Sequence, residues 1–113
     1  MDPICIVPAG DVCGEAATWD AGAGLLYWTD INRFLLHIHD PAAGTTRTQM
    51  FDRPVVALSL TDRAGWILVA LGSQLILFNP QSGAREDLPP SLPGWPEVRF
   101  NDGRSDPAGN FWI

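Results

Sequence analysis

Three features of the sequence predict an all-β chain that forms part of a β-propeller. Its apolar stretches are short and rich in aromatic and branched residues, Gly, Pro, Asp and Asn bound them, and the turns between them recur at a fixed period. The stretches fall at 25–31, 34–38, 55–60, 66–71, 75–78 and 111–113. None extends into the capped 3.6-residue period of a helix, and ten prolines and eleven glycines interrupt the chain at close intervals. The turns "WDAGAGLLYW" from Trp19, "TDRAGWILVA" from Thr61 and "SDPAGNFWI" from Ser105 each place an Asp before a short Ala/Gly turn and an apolar strand. Asp20, Asp62 and Asp106 are separated by 42 and 44 residues. A second landmark, "HDPAAGTTR" and then "FNPQSGARE", sets both Pro41 and Pro80, and Gly44 and Gly83, 39 residues apart. A period of about 40–45 residues carrying four strands is that of a propeller blade.

Laid on this period, the first blade spans about 15–51, with strands at 15–19, 25–31, 34–39 and 47–51. The second spans about 55–88, with strands at 55–61, 66–71, 74–78 and 84–88. The third, about 100–113, begins with strands at 100–105 and 110–113 and goes no further. About two and a half blades result, whereas closed propellers need four or more. The sequence therefore predicts an incomplete propeller, with "NFWI" falling inside a strand. Trp28, Trp66 and Trp112 fall on the second strands of their repeats, where aromatic side chains pack between blades.

The formal charge of −6 over 113 residues removes any electrostatic drive toward nucleic acid or an anionic membrane. With 46% hydrophobic and 18% charged residues the chain can bury a core. Cys5 and Cys13 do not make a disulfide framework and read as free thiols of a reducing compartment. The start "MDPICIVPAGD" lacks the basic and apolar regions of a signal peptide, and the longest apolar run, 66–71, is too short to span a membrane. A cytoplasmic location is the expectation.

Propeller sites lie at the mouth of the central channel, on the innermost strand of each blade. Glu15, Ala57 and Asn101 each stand five residues before the repeat Asp, and so share one phase of that strand. Arg99, two residues before Asn101, points to the same face of an extended strand. A carboxylate, an amide and a guanidinium would then converge on one funnel. Taken singly, Glu15 reads as a solvated strand start and Asn101-Asp102-Gly103 as a turn. Other features carry less. His37 and His39 in "LHIHD" share a strand face but have no third metal ligand nearby, and read as a solvated blade face. No G-x-S-x-G is present. Trp95, in "SLPGWPEVRF", reads as a loop anchor, with a lid over the funnel as the alternative.

The stretches "CGEAATWDAGAGLLYWTDI", "HIHDPAAG" and "EVRFNDGRSDPAGNFWI" together resemble the N-terminal part of the SMP-30/gluconolactonase/luciferin-regenerating enzyme family, which includes regucalcin. The resemblance runs in order through nearly the whole chain, and its last motif, R-x-N-D-G-x-x-D-x-x-G-x-x-W, is long. It implies a six-bladed propeller and a metal-dependent sugar-lactone hydrolase. By position it makes Glu15 a ligand of a divalent metal, Ca²⁺ or Zn²⁺, and Arg99 and Asn101 substrate contacts. The family's other metal ligands, an Asn and an Asp that serves as general base, belong to later blades. No catalytic residue is therefore expected in this chain, and a complementary propeller half would be its partner. The family's G-E-(small)-P is Gly14-Glu15-Ala16-Ala17 here, and loss of the proline should loosen the start of the strand.

Two alternatives stand beside the hydrolase. One is a non-catalytic propeller fragment. The other follows from Tyr27-Trp28-Thr29-Asp30, the repeat tetrapeptide of receptor propellers that bind proteins. That reading predicts the tetrapeptide again one period later, where the chain has "WILVA", and also a secretory signal and disulfides.

Overall fold

The computed structural model describes residues 1–113. It holds ten strands: β1 (Gly14–Asp20), β2 (Leu25–Asp30), β3 (Leu35–Asp40), β4 (Thr45–Met50), β5 (Val55–Leu60), β6 (Ile67–Leu71), β7 (Gln74–Phe78), β8 (Arg85–Leu88), β9 (Arg104–Ser105) and β10 (Phe111–Trp112). They form two four-stranded antiparallel sheets, ordered β1-β2-β3-β4 and β5-β6-β7-β8, and a two-stranded hairpin β9-β10. Each sheet is a propeller blade with consecutive strands adjacent, and the sheets do not close on themselves. No helix is long and apolar enough to cross a membrane.

The turns explain why these residues make hairpins. Asp20, Asp40 and Asn79 each use the side-chain Oδ1 to accept from the backbone N–H groups two and three residues on, at 2.9–3.1 Å. In each, the N–H of the fourth residue on, Gly24, Gly44 or Gly83, returns to the backbone carbonyl at 2.8 Å. Those glycines lie at φ between +68° and +76°, a conformation L side chains seldom adopt. The spacing of Gly44 and Gly83 read in the sequence is thus that of a built turn, whereas at the Asp62 repeat the Thr61 hydroxyl, not Asp62, accepts from the Arg63 N–H at 3.2 Å.

The blades pack through one apolar layer. Tyr27, Leu36 and Ile38 of the first blade form a cluster with Val55, Leu58 and Val69 of the second, all nearly or fully buried. Beyond the second blade lies a smaller cluster, in which Val56, Ala57 and Ala70 meet Phe100 and Phe111. The second blade is therefore covered on both faces, and β5 is buried at Val55 through Ser59. The innermost strand β1 has one covered face and alternates exposed with half-buried residues. The outermost strand β4, Thr-Thr-Arg-Thr-Gln-Met, is exposed at every position. Its polar side chains blunt what would be an open edge.

Several boundaries differ from the sequence reading. β4 starts earlier than expected and β6 begins at Ile67, so that Trp66 stands just before it under the Arg63 guanidinium, 3.9 Å from the ring centroid. The first strand of the third repeat, expected over 100–105, is only Arg104–Ser105. The Phe100 N–H donates to Gly72 O at 3.0 Å, and the Asp102 carboxylate accepts from its neighbour Gly103 N–H at 2.7 Å. These bonds tie residues 100–103 to the second blade and to each other, not to a ladder. Trp112 is 67% exposed, so the blade packing expected of it is absent.

Candidate functional site

β1 lies against β5, and β5 against β9, so the innermost strands converge as the repeat requires. Between them opens a cleft of about 830 Å³. Glu15 and Trp19 line it from β1, Leu58 and Leu60 from β5, and Asp102 and Arg104 from the third repeat. The hydroxyls of Ser59 and Ser105 hydrogen-bond across it, joining the second and third repeats.

Glu15 sits where β1 is irregular. It pairs with Thr29, but Thr18 pairs with Tyr27, so Ala16 and Ala17 together oppose one residue of β2. This is a β-bulge, and Ala16 within it stands at φ +57°. A non-glycine residue pays about 1–2 kcal/mol for that conformation. The Thr18 hydroxyl donates to Ala16 O at 3.0 Å and holds the bulge closed. The start of the strand, expected to loosen without the family proline, is therefore fixed by a bulge and a side-chain bond. The Glu15 carboxylate is exposed and makes no hydrogen bond or ion pair within the chain.

What holds this start in place is the Asp of "LYWTDI". Asp30 is fully buried. Its carboxylate accepts from the backbone N–H groups of Val12 at 2.9 Å, Cys13 at 3.2 Å and Arg33 at 3.4 Å, with the Arg33 Nε at 3.6 Å. Burial pushes its pKa up, but the three amides and the guanidinium together outweigh burial and hold it below the ordinary carboxyl range. The Ile31 N–H donates to Cys13 O at 3.0 Å. Just upstream, Asp11 accepts from Trp28 Nε1 at 2.7 Å and from His37 Nε2 at 2.9 Å, and His37 Nδ1 meets Thr48 Oγ1 at 2.8 Å. A carboxylate can only accept, so Nε2 of His37 carries the proton. The segment before Glu15 is strapped to the first blade by these groups.

The histidines correct the sequence reading. His37 and His39 are buried, at 6% and 7% exposure, rather than on a solvated face. Trp28 stacks on His37 with centroids 4.8 Å apart, and His39 Nδ1 meets Thr46 Oγ1 at 3.0 Å. The strap of residues 10–13 over this face of the first blade is what hydrophobic patterning could not show. Trp95 takes the anchor role. Its ring lies over Gly72, where an added Cβ would come within 2.8 Å of it, and 5.0 Å from the Arg53 guanidinium. It is not among the cleft residues.

Arg99 and Asn101 are exposed, lie outside any strand and make no side-chain hydrogen bond or ion pair. The alternation that put both on one strand face does not apply there. Their neighbours Asp102 and Arg104 line the cleft with Glu15, and Arg99 and Asn101 do not. Ala57, at the repeat phase of Glu15, is fully buried in the cluster against the third repeat. The reason is visible in the ladders. β1 bulges after Glu15, whereas β5 shifts register between Val55 and Ala57. Equal distance from the repeat Asp therefore does not mean equal facing.

Glu15 offers oxygen donors of the kind Ca²⁺ takes, free of protein partners and open to the cleft. No group of three or more His, Cys, Asp or Glu side chains forms a ready cage, so Glu15 could be only one contributor to a metal site.

Residues 13–113 match the sequence family described as SMP-30/Gluconolactonase/LRE-like region. The chain is 36% identical over 108 residues to the 6-deoxy-6-sulfogluconolactonase of Pseudomonas putida, covering 96% of this chain and 37% of that protein. It is 35% identical over 102 residues to the L-arabinolactonase of Azospirillum brasilense, covering 87% of this chain and 32% of that protein. Among solved structures it superposes on a calcium-binding protein, regucalcin, from Agrobacterium tumefaciens, with a TM-score of 0.79 and 30% identity over 91% of this chain and 35% of that one. The chain thus spans about a third of the length of the relatives it matches.

Proposed function

Because the chain belongs to the SMP-30/gluconolactonase/LRE-like family, we propose that it contributes Glu15, Arg99 and Asn101 to a metal-dependent sugar-lactone hydrolase. The observation that carries this reading is the unpartnered Glu15 carboxylate at the central cleft, in a chain whose relatives are named gluconolactonase and arabinolactonase. A divalent ion, Ca²⁺ or Zn²⁺, would supply polarisation of the lactone carbonyl. Glu15 would hold it together with the Asn and Asp that the family resemblance places on later blades. Arg99 and Asn101 have unused donors and are free to orient the hydroxyls of a sugar ring. For this they must turn toward the cleft, which their position outside any strand permits. Asp102 and Arg104 already border it. Asp30 and Asp11 keep Glu15 in place by fixing residues 10–13.

The test is a calorimetric titration with Ca²⁺ and with Zn²⁺, run beside an aldonolactone hydrolysis assay on the protein that contains this chain. Glu15→Gln should lower metal affinity by roughly 10–100-fold or more, the range already found for partners one shell further from a metal. Hydrolysis should fall with it. Unchanged affinity and unchanged turnover in Glu15→Gln would sink the assignment, and hydrolysis absent from the unsubstituted protein would favour a non-catalytic role.

A further inference from the structure

The turn joining β6 to β7 is only two residues long, Gly72-Ser73, and both are buried. Its backbone is a hub. The Gly72 N–H donates to Pro54 O at 2.8 Å, Gly72 O accepts from the Phe100 N–H at 3.0 Å, and Ser73 O accepts from the Leu92 N–H at 2.7 Å. Residues 92 and 100 are thus pinned to neighbouring carbonyls of one turn, and the Trp95 ring is seated on that same turn. A Cβ at Gly72 would come within 2.8 Å of the ring Cζ3 and 3.1 Å of Cε3, so only glycine leaves the seat open. Arg53, just before β5, adds its guanidinium 5.0 Å from the ring centroid, a cation–π contact.

The segment between the two pins is itself tightly folded. The Val98 N–H donates to Gly94 O at 2.8 Å. Gly94 stands at φ +99°, and the Val98 side chain lies 2.8 Å from where a Cβ would be. Phe100 packs against the cluster of Val56, Ala57 and Ala70. Arg99 therefore lies between two residues whose amides are bound, on backbone that no ladder holds. Asp102, three residues on, borders the cleft, so the two backbones are at most about 11 Å apart. Where the backbone of residue 99 stands then decides whether its guanidinium can reach the cleft.

We propose that Trp95 is a positioning residue for substrate binding. Seated on the β6–β7 turn, it fixes the path of residues 98–100, and with it the point from which the Arg99 side chain reaches toward the cleft. Trp95 itself lies outside the cleft. This role rests on the reading of Arg99 as a substrate contact. Glu15 is held separately, through Asp30 and Asp11, so metal binding should not depend on Trp95.

Two measurements on the protein that contains this chain test the role. In hydrogen exchange, Trp95→Ala should speed the Val98 and Phe100 amides by about tenfold or more, whereas Trp95→Phe, which keeps a ring on Gly72, should leave them slow. In aldonolactone hydrolysis, Trp95→Ala should raise KM about tenfold, inside the hundredfold that a 1 Å misplacement can cost. Trp95→Phe should restore KM. The kcat, and the Ca²⁺ affinity read by calorimetry, should not change, the pattern of lost binding rather than lost chemistry. Arg99→Ala should raise KM at least as far, and Trp95→Ala added to it should raise KM no further, because both act through one guanidinium. A merely structural Trp95 would instead lower kcat and Ca²⁺ affinity in Trp95→Ala and add to Arg99→Ala. Either result overturns the proposal, as does unchanged exchange at Val98 and Phe100, or an unchanged KM in Trp95→Ala where Arg99→Ala raises it. If Arg99→Ala leaves KM unchanged, the proposal falls with the substrate role of Arg99, a failure that the exchange data keep apart from failure of the Trp95 seat.

Discussion

Asp30 illustrates how much one side chain can determine. Its buried carboxylate serves three backbone amides and one guanidinium, and through them it sets the path of residues 12–13 into Glu15. Asp30→Asn removes the charge that strengthens those bonds and should cost about 2–3 kcal/mol, read from urea unfolding. The pH dependence follows from the same contacts. A carboxyl whose folded pKa is depressed contributes stability that is fully present above its unfolded value of about 3.9 and is lost as pH falls through the lower folded value. Unfolding midpoints should therefore fall below about pH 4, and less steeply in Asp30→Asn. An equal slope in both proteins would assign the acid sensitivity elsewhere, with Asp106 the next candidate. Bonds from Trp112, Asn110 and Ala108 hold its carboxyl down at about 2. Ala16 makes a separate prediction. Its φ of +57° suits a small residue, and Ala16→Val should destabilise by about 1–2 kcal/mol because a β-branched side chain clashes there.

At the level of the element, the hairpins were legible because their turns are chemically specific. Asp40 and Gly44 do separable jobs. Asp40→Ala removes an acceptor from the Ala42 and Ala43 amides and should cost about 1 kcal/mol. At Gly44 nothing lies within 4 Å of an added Cβ, so Gly44→Ala should cost only the backbone term, again about 1 kcal/mol. Gly72→Ala should cost more than Gly44→Ala, because its Cβ would also meet the Trp95 ring at 2.8 Å. Thermal unfolding of the three variants would order them, and equal losses at Gly44 and Gly72 would refute the packing role of Trp95. The strand pattern was readable for the same reason the turns were, since alternation and period survive in the letters. The bulges were not. A bulge adds a residue without altering composition, and it moved Ala57 inward while Glu15 stayed at the cleft. Nor could alternation place Arg99 and Asn101, because it presumes a ladder that residues 99–103 do not join. The burial of His37 was missed because Asp11, which meets it, lies in a segment that has no period of its own.

For the molecule as a whole, the second blade is the structural centre. It has the first blade on one face and the third repeat on the other, whereas β4 and the β9-β10 hairpin have little covering them. The Cα radius of gyration of 14.0 Å is close to the roughly 13 Å of a compact domain of this length, so two blades pack tightly without a closed ring. Stability should then be unevenly distributed, since local opening is governed by how much apolar surface a segment hides. Hydrogen exchange should be slowest at β5, β6 and β7, intermediate at β1 to β3, and fastest at β4, β9 and β10. Leu36 joins the two blades and is fully buried. Leu36→Ala should cost about 2–5 kcal/mol and speed exchange in both blades together. If Leu36→Ala accelerated exchange in the first blade alone, the blades would be independent units, and the interblade layer would not be what holds Glu15 beside the third repeat.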